Sequence, residues 1–151
     1  MVPTLQFTLM YIIVETQSSI KFSTVFLADL LRGKSNRLLL VGGAGSLYTD
    51  DSQTQRVMDT PDFPESYYPT ASNMALSLDA IKERDDVNWT YLSPSADFDA
   101  DGERTGKYRL GGEVIMTNSQ GKSYISYADY AIAMLDEAEQ GKHIKTLYRG
   151  F

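Results

Sequence analysis

The 151-residue chain has no cysteine and a single histidine, His143. Without cysteine it can form no disulfide, no thiolate metal site and no cysteine nucleophile, and one histidine argues against multi-histidine metal centres and a Ser-His-Asp triad. We therefore expect no bound metal. The lack of disulfides, together with the lack of an export signal, is typical of a reducing compartment, so we expect a cytoplasmic protein.

Positive charge is also scarce, because 14 Lys and Arg face 20 Asp and Glu, for a net charge of −6. A chain of this kind lacks the basic surface that nucleic acid requires, so we expect no nucleic-acid partner. The apolar stretch over residues 5–14 is interrupted by Gln6 and Thr8 and is shorter than the roughly 20 residues that span a bilayer. We interpret it as a strand and expect no membrane partner.

Apolar residues recur in alternating helical and strand-like segments. Gly33 supplies a left-handed stop for the first helix, and the Ser126-x-x-Asp129 pattern is typical of the capped start of the last one. The pattern predicts helices over residues 18–32, 70–84 and 126–138, and strands over residues 5–14, 37–41, 87–92 and 144–148. This alternation predicts an α/β fold in which residues 1–151 form a single domain, a Rossmann-like parallel sheet with helices on both faces.

The connections are less regular. Residues 46–69 are polar and rich in Asp and Pro, which predicts a long surface connection. Residues 98–112 form a glycine- and charge-rich insertion. Beyond it, the apolar pairs around Ser119-Gln120-Gly121 predict a hairpin of residues 113–116 and 122–125.

A family resemblance lies mainly in residues 88–135. A buried strand ending in Ser93-Pro94, a glycine-rich insertion, and a capped helix with Asp129 in its first turn follow one another there. In this order they resemble the atypical short-chain dehydrogenases, nearest to the NmrA-like and NADH-flavin-reductase-like NAD(P)H-binding proteins. The resemblance extends over residues 18–151. It implies NADP or NAD as the cofactor and flavin or quinone-type acceptors as substrates.

The same resemblance implies a cofactor site at two strand ends. Gly43, Ala44, Gly45 and Ser46 match the turn that lies beside the nicotinamide in the family, and Ser46 is its candidate catalytic residue. A second turn, against the nicotinamide side, is matched in order by Ser93, Pro94, Ser95 and Ala96. Ligands of open α/β sheets lie beyond the carboxyl ends of the strands, where both turns would be. The alternative is that both segments are plain strand-exit turns.

Candidates for the substrate side are a tyrosine and an arginine. Conventional family members use a Tyr-x-x-x-Lys pair, in which the lysine lowers the pKa of the tyrosine. Tyr68 lies near the matching place, but position 72 is Ser72, so its alternatives are proton donor and pocket wall. Arg104 could attract an anionic substrate group, or it could belong to a solvated surface.

The glycine-rich phosphate loop that opens such a domain has no counterpart. The Gly42-Gly43-Ala44-Gly45 segment lacks the third glycine and the helix that a dinucleotide fingerprint requires. We therefore expect a truncated or remodelled domain in which cofactor binding is weakened or absent. Residues 5–14 would serve as a replacement edge strand, or a second copy in a homodimer would cover the edge. The alternatives to a reductase are a non-catalytic relative that binds a small molecule and a redox-sensing regulator.

Overall fold

The computed structural model describes residues 7–10 and 19–150, in which helices alternate with strands. The strands are β1 (Phe7–Met10), β2 (Arg37–Val41), β3 (Asn88–Ser93), β4 (Asp97–Asp99), β5 (Leu110–Gly111), β6 (Tyr124–Ser126) and β7 (Thr146–Gly150). The helices are α1 (Ser19–Leu30), α2 (Tyr68–Lys82) and α3 (Tyr127–Gln140). The predicted alternation is therefore confirmed, with helix and strand ends shifted by a few residues at most.

The main sheet has the strand order β1-β2-β3-β7-β5. Its first four strands are parallel, and the short β5 pairs antiparallel with β7 at the edge. Arg37 lies opposite Asn88, and Val41 opposite Leu92. The predicted Rossmann-like parallel sheet is confirmed. The predicted amino-terminal strand is confirmed as an edge strand at Phe7–Met10, and the rest of residues 5–14 lies outside the described residues.

The helices divide the core between the two faces of the sheet. Side chains alternate along a strand, so Leu38 and Leu40 point to one face and Leu39 to the other. The first face packs against α1 and α2, and the second against α3. The first cluster consists of Ala28, Leu38, Leu40, Leu78, Ile81, Val87, Trp89, Tyr91 and Leu147. The second consists of Leu39, Leu92, Ile125, Tyr130, Ala133, Met134 and Ala138.

The helix ends follow the predicted capping residues. Gly33 has a φ of 66°, and its N–H donates to the Asp86 carbonyl oxygen at 2.8 Å. At the start of α3 the Ser126 Oγ accepts from the Asp129 N–H at 3.1 Å. The helix stops at Gly141, whose φ of 61° is left-handed. No helix in the part of the chain that the structure describes is both long and apolar enough to cross a bilayer.

The predicted hairpin is wrong. Residues 118–122 do form a tight turn, in which the Asn118 N–H donates to the Lys122 carbonyl oxygen at 2.8 Å. The strand that follows, β6, pairs in parallel with β4 instead of with residues 113–116. Burial decides this pairing, because the β4 partner places Ile125 in the core, where it is 3% exposed. Val114 bridges to Tyr48 instead.

The polar connection over residues 46–69 is more ordered than predicted. It contains short 3₁₀ turns at Val57–Asp59 and Glu65–Tyr67. Leu47 near its start is fully buried. Arg56, within it, makes a bidentate ion pair with Asp79 of α2, at 2.5 and 3.2 Å. The connection is thereby fastened to the body of the domain.

Candidate functional site

A cavity of about 400 Å³ opens at the carboxyl ends of β2 and β3. We call it the cleft. Parallel strands place their carboxyl ends at one edge of the sheet, and ligands of open α/β sheets bind beyond that edge. The loops after β2 and β3 and the first residues of α2 and α3 surround it. Its lining consists of Thr24, Leu40, Val41, Gly42, Gly43, Ala44, Tyr67, Thr70, Met74, Ser77, Tyr91, Pro94, Ser95, Ala96, Phe98 and Tyr127.

Two glycines shape the floor of the cleft. A Cβ atom on Gly42 would lie 2.2 Å from Tyr91 Cε1 and 2.7 Å from Ser93 Oγ, so only glycine fits beside β3. A Cβ on Gly43 would instead meet the Met74 Sδ atom at 2.8 Å, at the flexible end of a side chain. Gly42 is therefore a packing requirement, whereas a side chain at position 43 would fit only if Met74, which also lines the cleft, moved.

Ser46 is buried and is not among the residues that line the cleft. Ser46 is 1% exposed, and its Oγ donates to the Gly43 carbonyl oxygen at 2.8 Å, which closes the short turn Ala44–Ser46. Gly45 packs on α2, because a Cβ there would lie 2.8 Å from the Ala71 Cβ. Of the four residues matched to the first family turn, the structure brings Gly43 and Ala44 to the cleft, and it leaves Gly45 and Ser46 beneath it.

The second turn contributes Pro94, Ser95 and Ala96 to the lining. The Ser95 Oγ is already engaged, because it donates to the Gly150 carbonyl oxygen at 3.2 Å. Ser93 is fully buried just behind this turn, and its Oγ has no hydrogen-bond partner. Among the described residues, the Ser93 Oγ is the unsatisfied buried polar atom nearest the cleft. Leaving a buried hydroxyl without a partner costs stability.

The tyrosines that line the cleft differ from the one predicted from the sequence. The predicted candidate, Tyr68, lies outside it, in a separate shallow depression with Met58 and Phe63. Its neighbour Tyr67 lines the cleft. Tyr91 also lines it, but its hydroxyl donates to the Met74 carbonyl oxygen at 3.1 Å, and burial raises the pKa of its phenol. Its raised pKa makes Tyr91 a weak acid, and its O–H is already engaged with Met74, so we do not expect it to act as a proton donor.

The substrate candidate Arg104 is exposed and does not line the cleft. Its loop is held by Asp129, whose carboxylate accepts from Thr105 Oγ1 at 2.6 Å and from the Gly106 N–H at 2.8 Å. Burial pushes the pKa of Asp129 upward, but the hydrogen bonds from Thr105, Gly106 and Ser126 outweigh it, so the pKa is lowered. Asp129 thus anchors a loop in addition to closing the helix cap.

Sequence reasoning missed the aromatic part of the lining, Phe98 and Tyr127. A signal was present, because in a parallel α/β fold each helix begins at the carboxyl edge of the sheet. Tyr67 precedes the first residue of α2, and Tyr127 is the first residue of α3. Aromatic residues at helix starts were therefore candidates for the edge that binds ligands.

The cleft fits one part of a nicotinamide cofactor. Small residues at Gly43, Ala44 and Ala96 and the apolar surface of Pro94 suit a flat ring. The lining residues include no Lys, Arg or His, so the described part of the cleft offers no cation for a diphosphate. Within residues 7–10 and 19–150, no group of three acidic or histidine side chains is placed to hold a metal ion.

Comparison with known proteins identifies the fold and the family. No protein-family model matches the chain. The uncharacterized protein YwnB of Bacillus subtilis strain 168 is 54% identical over 110 residues, which are 73% of this chain and 52% of that protein. The chain thus spans about half the length of this curated relative. A short-chain dehydrogenase/reductase of Veillonella parvula in complex with NADP shares the fold at 19% identity, with a TM-score of 0.60 over 95% of this chain and 60% of that one.

A crystal structure from Streptococcus pneumoniae, described as a "putative NADH-flavin reductase", is much more similar. It is 44% identical, with a TM-score of 0.91, and the match covers 97% of this chain and 71% of that chain. The parallel sheet, the cleft at its carboxyl edge and this degree of identity all point to the same family. The chain therefore belongs to the NADH-flavin-reductase-like family.

Proposed function

We propose that this protein, acting as a single Rossmann-like domain, is an NAD(P)H-dependent reductase for flavin- or quinone-type acceptors. The cleft carries the proposal, because it lies at the carboxyl edge of the sheet and its lining includes Gly43, Ala44, Pro94, Ser95 and Ala96. The likeness to a pneumococcal protein described as an NADH-flavin reductase supports the same reaction class.

In this proposal the residues of the cleft act by positioning the nicotinamide ring. In the proposal Gly43 and Ala44 lie against one side of the nicotinamide ring, and Pro94 to Ala96 lie against another. The Ser95 hydroxyl, bound to the Gly150 carbonyl oxygen, fixes the second turn to β7. Reduced nicotinamide supplies the hydride when it is bound.

The ionisable side chains that line the cleft favour a particular class of electron acceptor. Among the described lining residues only the phenols of Tyr67, Tyr91 and Tyr127 are ionisable, and Tyr91 is held protonated by burial. No lysine follows Tyr67 or Tyr68 at four residues, so the Tyr-x-x-x-Lys acid pair of conventional family members is not formed at either tyrosine. Flavins and quinones accept a hydride and take their proton from water, so they suit a cleft without a dedicated acid.

A thermal-shift measurement with NADPH and NADH tests cofactor use. At a ligand concentration ten times the dissociation constant, binding stabilises the native state by about 1.4 kcal/mol, which raises Tm by roughly 3–6 °C. Gly43→Val should abolish the shift, because its backbone is extended at φ −128° and its side chain would displace Met74, which lines the cleft and lies 2.8 Å from the added Cβ. Gly112→Val is the matched control, because a Cβ there meets no atom within 4 Å.

The outcomes separate the candidate functions. No shift with either nucleotide at millimolar concentration contradicts the proposal. A shift that Gly43→Val retains in full would contradict nicotinamide binding in the cleft. If the nucleotide binds, loss of NADPH absorbance with riboflavin or a naphthoquinone as acceptor shows a reductase. Binding without turnover would instead favour the redox-sensing alternative, which the lack of an acid side chain in the described lining also permits.

A further inference from the structure

Aromatic side chains flank the mouth of the cleft from both layers of the fold. Tyr67 immediately precedes α2, which packs on one face of the sheet, and Tyr127 opens α3, which packs on the other. Both helices begin at the carboxyl edge, so the two phenol rings lie on opposite sides of that edge. Phe98, in β4, packs against the ring of Tyr127 and also lines the cleft.

The side formed by Phe98 is fixed in place. Its ring centroid lies 4.0 Å from that of Tyr127 and 4.8 Å from that of Tyr130. The Tyr130 hydroxyl donates to the Leu92 carbonyl oxygen at 2.7 Å, which ties this aromatic group to β3. Parallel pairing of β4 with β6 sets the register that opposes Phe98 to Ile125. Such an ordered aromatic surface loses little entropy when a ring stacks on it.

Tyr67 forms the opposite side of the cleft. Its backbone is held by a hydrogen bond, and its ring is exposed to solvent. Its N–H donates to the Pro64 carbonyl oxygen at 3.0 Å, and the side chain is 66% exposed. Tyr67 and Phe98 also both line a second depression, together with Ala96, which adjoins the cleft on its outer side. The space between them is therefore continuous with the cleft and open to solvent.

We propose that Tyr67, Phe98 and Tyr127 form an aromatic slot that binds the flat ring of the electron acceptor. A cavity of about 400 Å³ can take a tricyclic ring system, and its lining carries no charge, so it suits a neutral planar ring such as isoalloxazine. The role of the slot as an acceptor site rests on the proposed reductase function, whereas its binding of a planar ring does not.

Riboflavin tests the slot directly, without any nicotinamide nucleotide. Its fluorescence anisotropy should rise on binding to the 151-residue protein. Tyr67→Leu and Tyr127→Leu should each weaken the dissociation constant about five- to tenfold, because each removes one stacking partner. Tyr67→Phe and Tyr127→Phe keep the ring and should stay within about twofold of the parent. Phe22→Leu, which removes a 72% exposed aromatic ring from α1, is the control and should leave binding unchanged.

Each result either supports or contradicts the proposed aromatic slot. No binding of riboflavin to the parent protein overturns the slot, as does equal binding by the two leucine variants and the parent. A leucine variant that loses binding while its phenylalanine counterpart retains it supports stacking, provided that far-ultraviolet circular dichroism shows the parent fold. Riboflavin binding without any NADPH or NADH binding would retain the slot and remove the reductase function, so the two proposals fail separately.

Discussion

Replacing Glu137 by leucine is expected to destabilise the fold by about 3–5 kcal/mol, because it leaves a largely buried arginine without its counter-charge. Glu137 is 3% exposed and Arg37 13% exposed, with Glu137 Oε1 2.5 Å from Arg37 Nη2. The same carboxylate accepts from the His143 N–H at 3.0 Å and lies 2.6 Å from His143 Nδ1. Arg37 keeps its bond to the Glu137 backbone oxygen at 2.9 Å in the variant, so its charge stays buried.

Urea denaturation followed by Trp89 fluorescence measures this cost. Trp89 is the single tryptophan and is 3% exposed, so its emission reports global unfolding. A loss of 3–5 kcal/mol corresponds to a fall in Tm of roughly 6–20 °C for a domain of this size. Arg32→Ala is the control, because that arginine is 65% exposed and its ion pairs should contribute about 1 kcal/mol or less.

A double-mutant cycle completes this test. Arg37→Leu and Glu137→Leu together should cost less than the sum of the two single variants, since the double variant leaves no unpaired buried charge. A cost below about 1 kcal/mol for Glu137→Leu, or strict additivity in the cycle, would refute the reasoning that burial makes this pair matter.

Two further predictions concern the turns around the cleft. Gly42→Ala should destabilise the protein by about 1–3 kcal/mol in urea denaturation, because its Cβ would lie 2.2 Å from Tyr91 Cε1 in the packed core. Gly112→Ala should change stability little, because a Cβ there meets no atom within 4 Å. Equal effects of the two substitutions would contradict this prediction. Asp129→Asn should cost stability at neutral pH, and its difference from the parent should shrink as pH falls below about 4. The sign follows from the lowered pKa of Asp129, whose stabilisation exists above the unfolded-state value and disappears on protonation of the native state; a difference that is constant with pH would show that the carboxylate charge is irrelevant.

Periodicity predicted the layers of the fold well, because each helix and central strand buries a large apolar face. The three apolar positions of β2, Leu38 to Leu40, are all buried, which is the pattern of a strand covered on both sides. The cap at Ser126 was also predictable, since it depends on residues three positions apart. Local chemistry of this kind can be read without knowing what lies nearby in space.

The pairing of β6 could not be predicted in the same way. Residues 113–116 and 122–125 are close in sequence, which favours a hairpin, whereas each residue of the observed partner Asp97–Asp99 lies 27 positions before the residue it pairs with. The choice depends on where Ile125 finds buried contacts, and this is a property of the assembled core. Short strands with few apolar residues carry too little local information to settle such a competition.

The candidate site was predictable at its two turns and not at its side chains. The matching of Gly43 and Ala44, and of Pro94 to Ala96, depends on strand ends, and the structure places all five of these residues at the cleft. The choice between Tyr67 and Tyr68 depends on helical phase, because neighbouring residues at a helix start point about 100° apart. The observed start of α2 at Tyr68 directs Tyr67 to the cleft.

The ion-pair network and the aromatic slot lie at opposite ends of the parallel strands. Arg37 is the first residue of β2, whereas Gly42 follows its last residue and lines the cleft. A five-residue strand is about 17 Å long, so a change at Glu137 reaches the cleft only through the stability of the whole domain. Glu137→Leu should therefore bind riboflavin with the affinity of the parent at temperatures where it remains folded. Weakened binding by a fully folded Glu137→Leu would show instead that the two ends of the sheet are coupled.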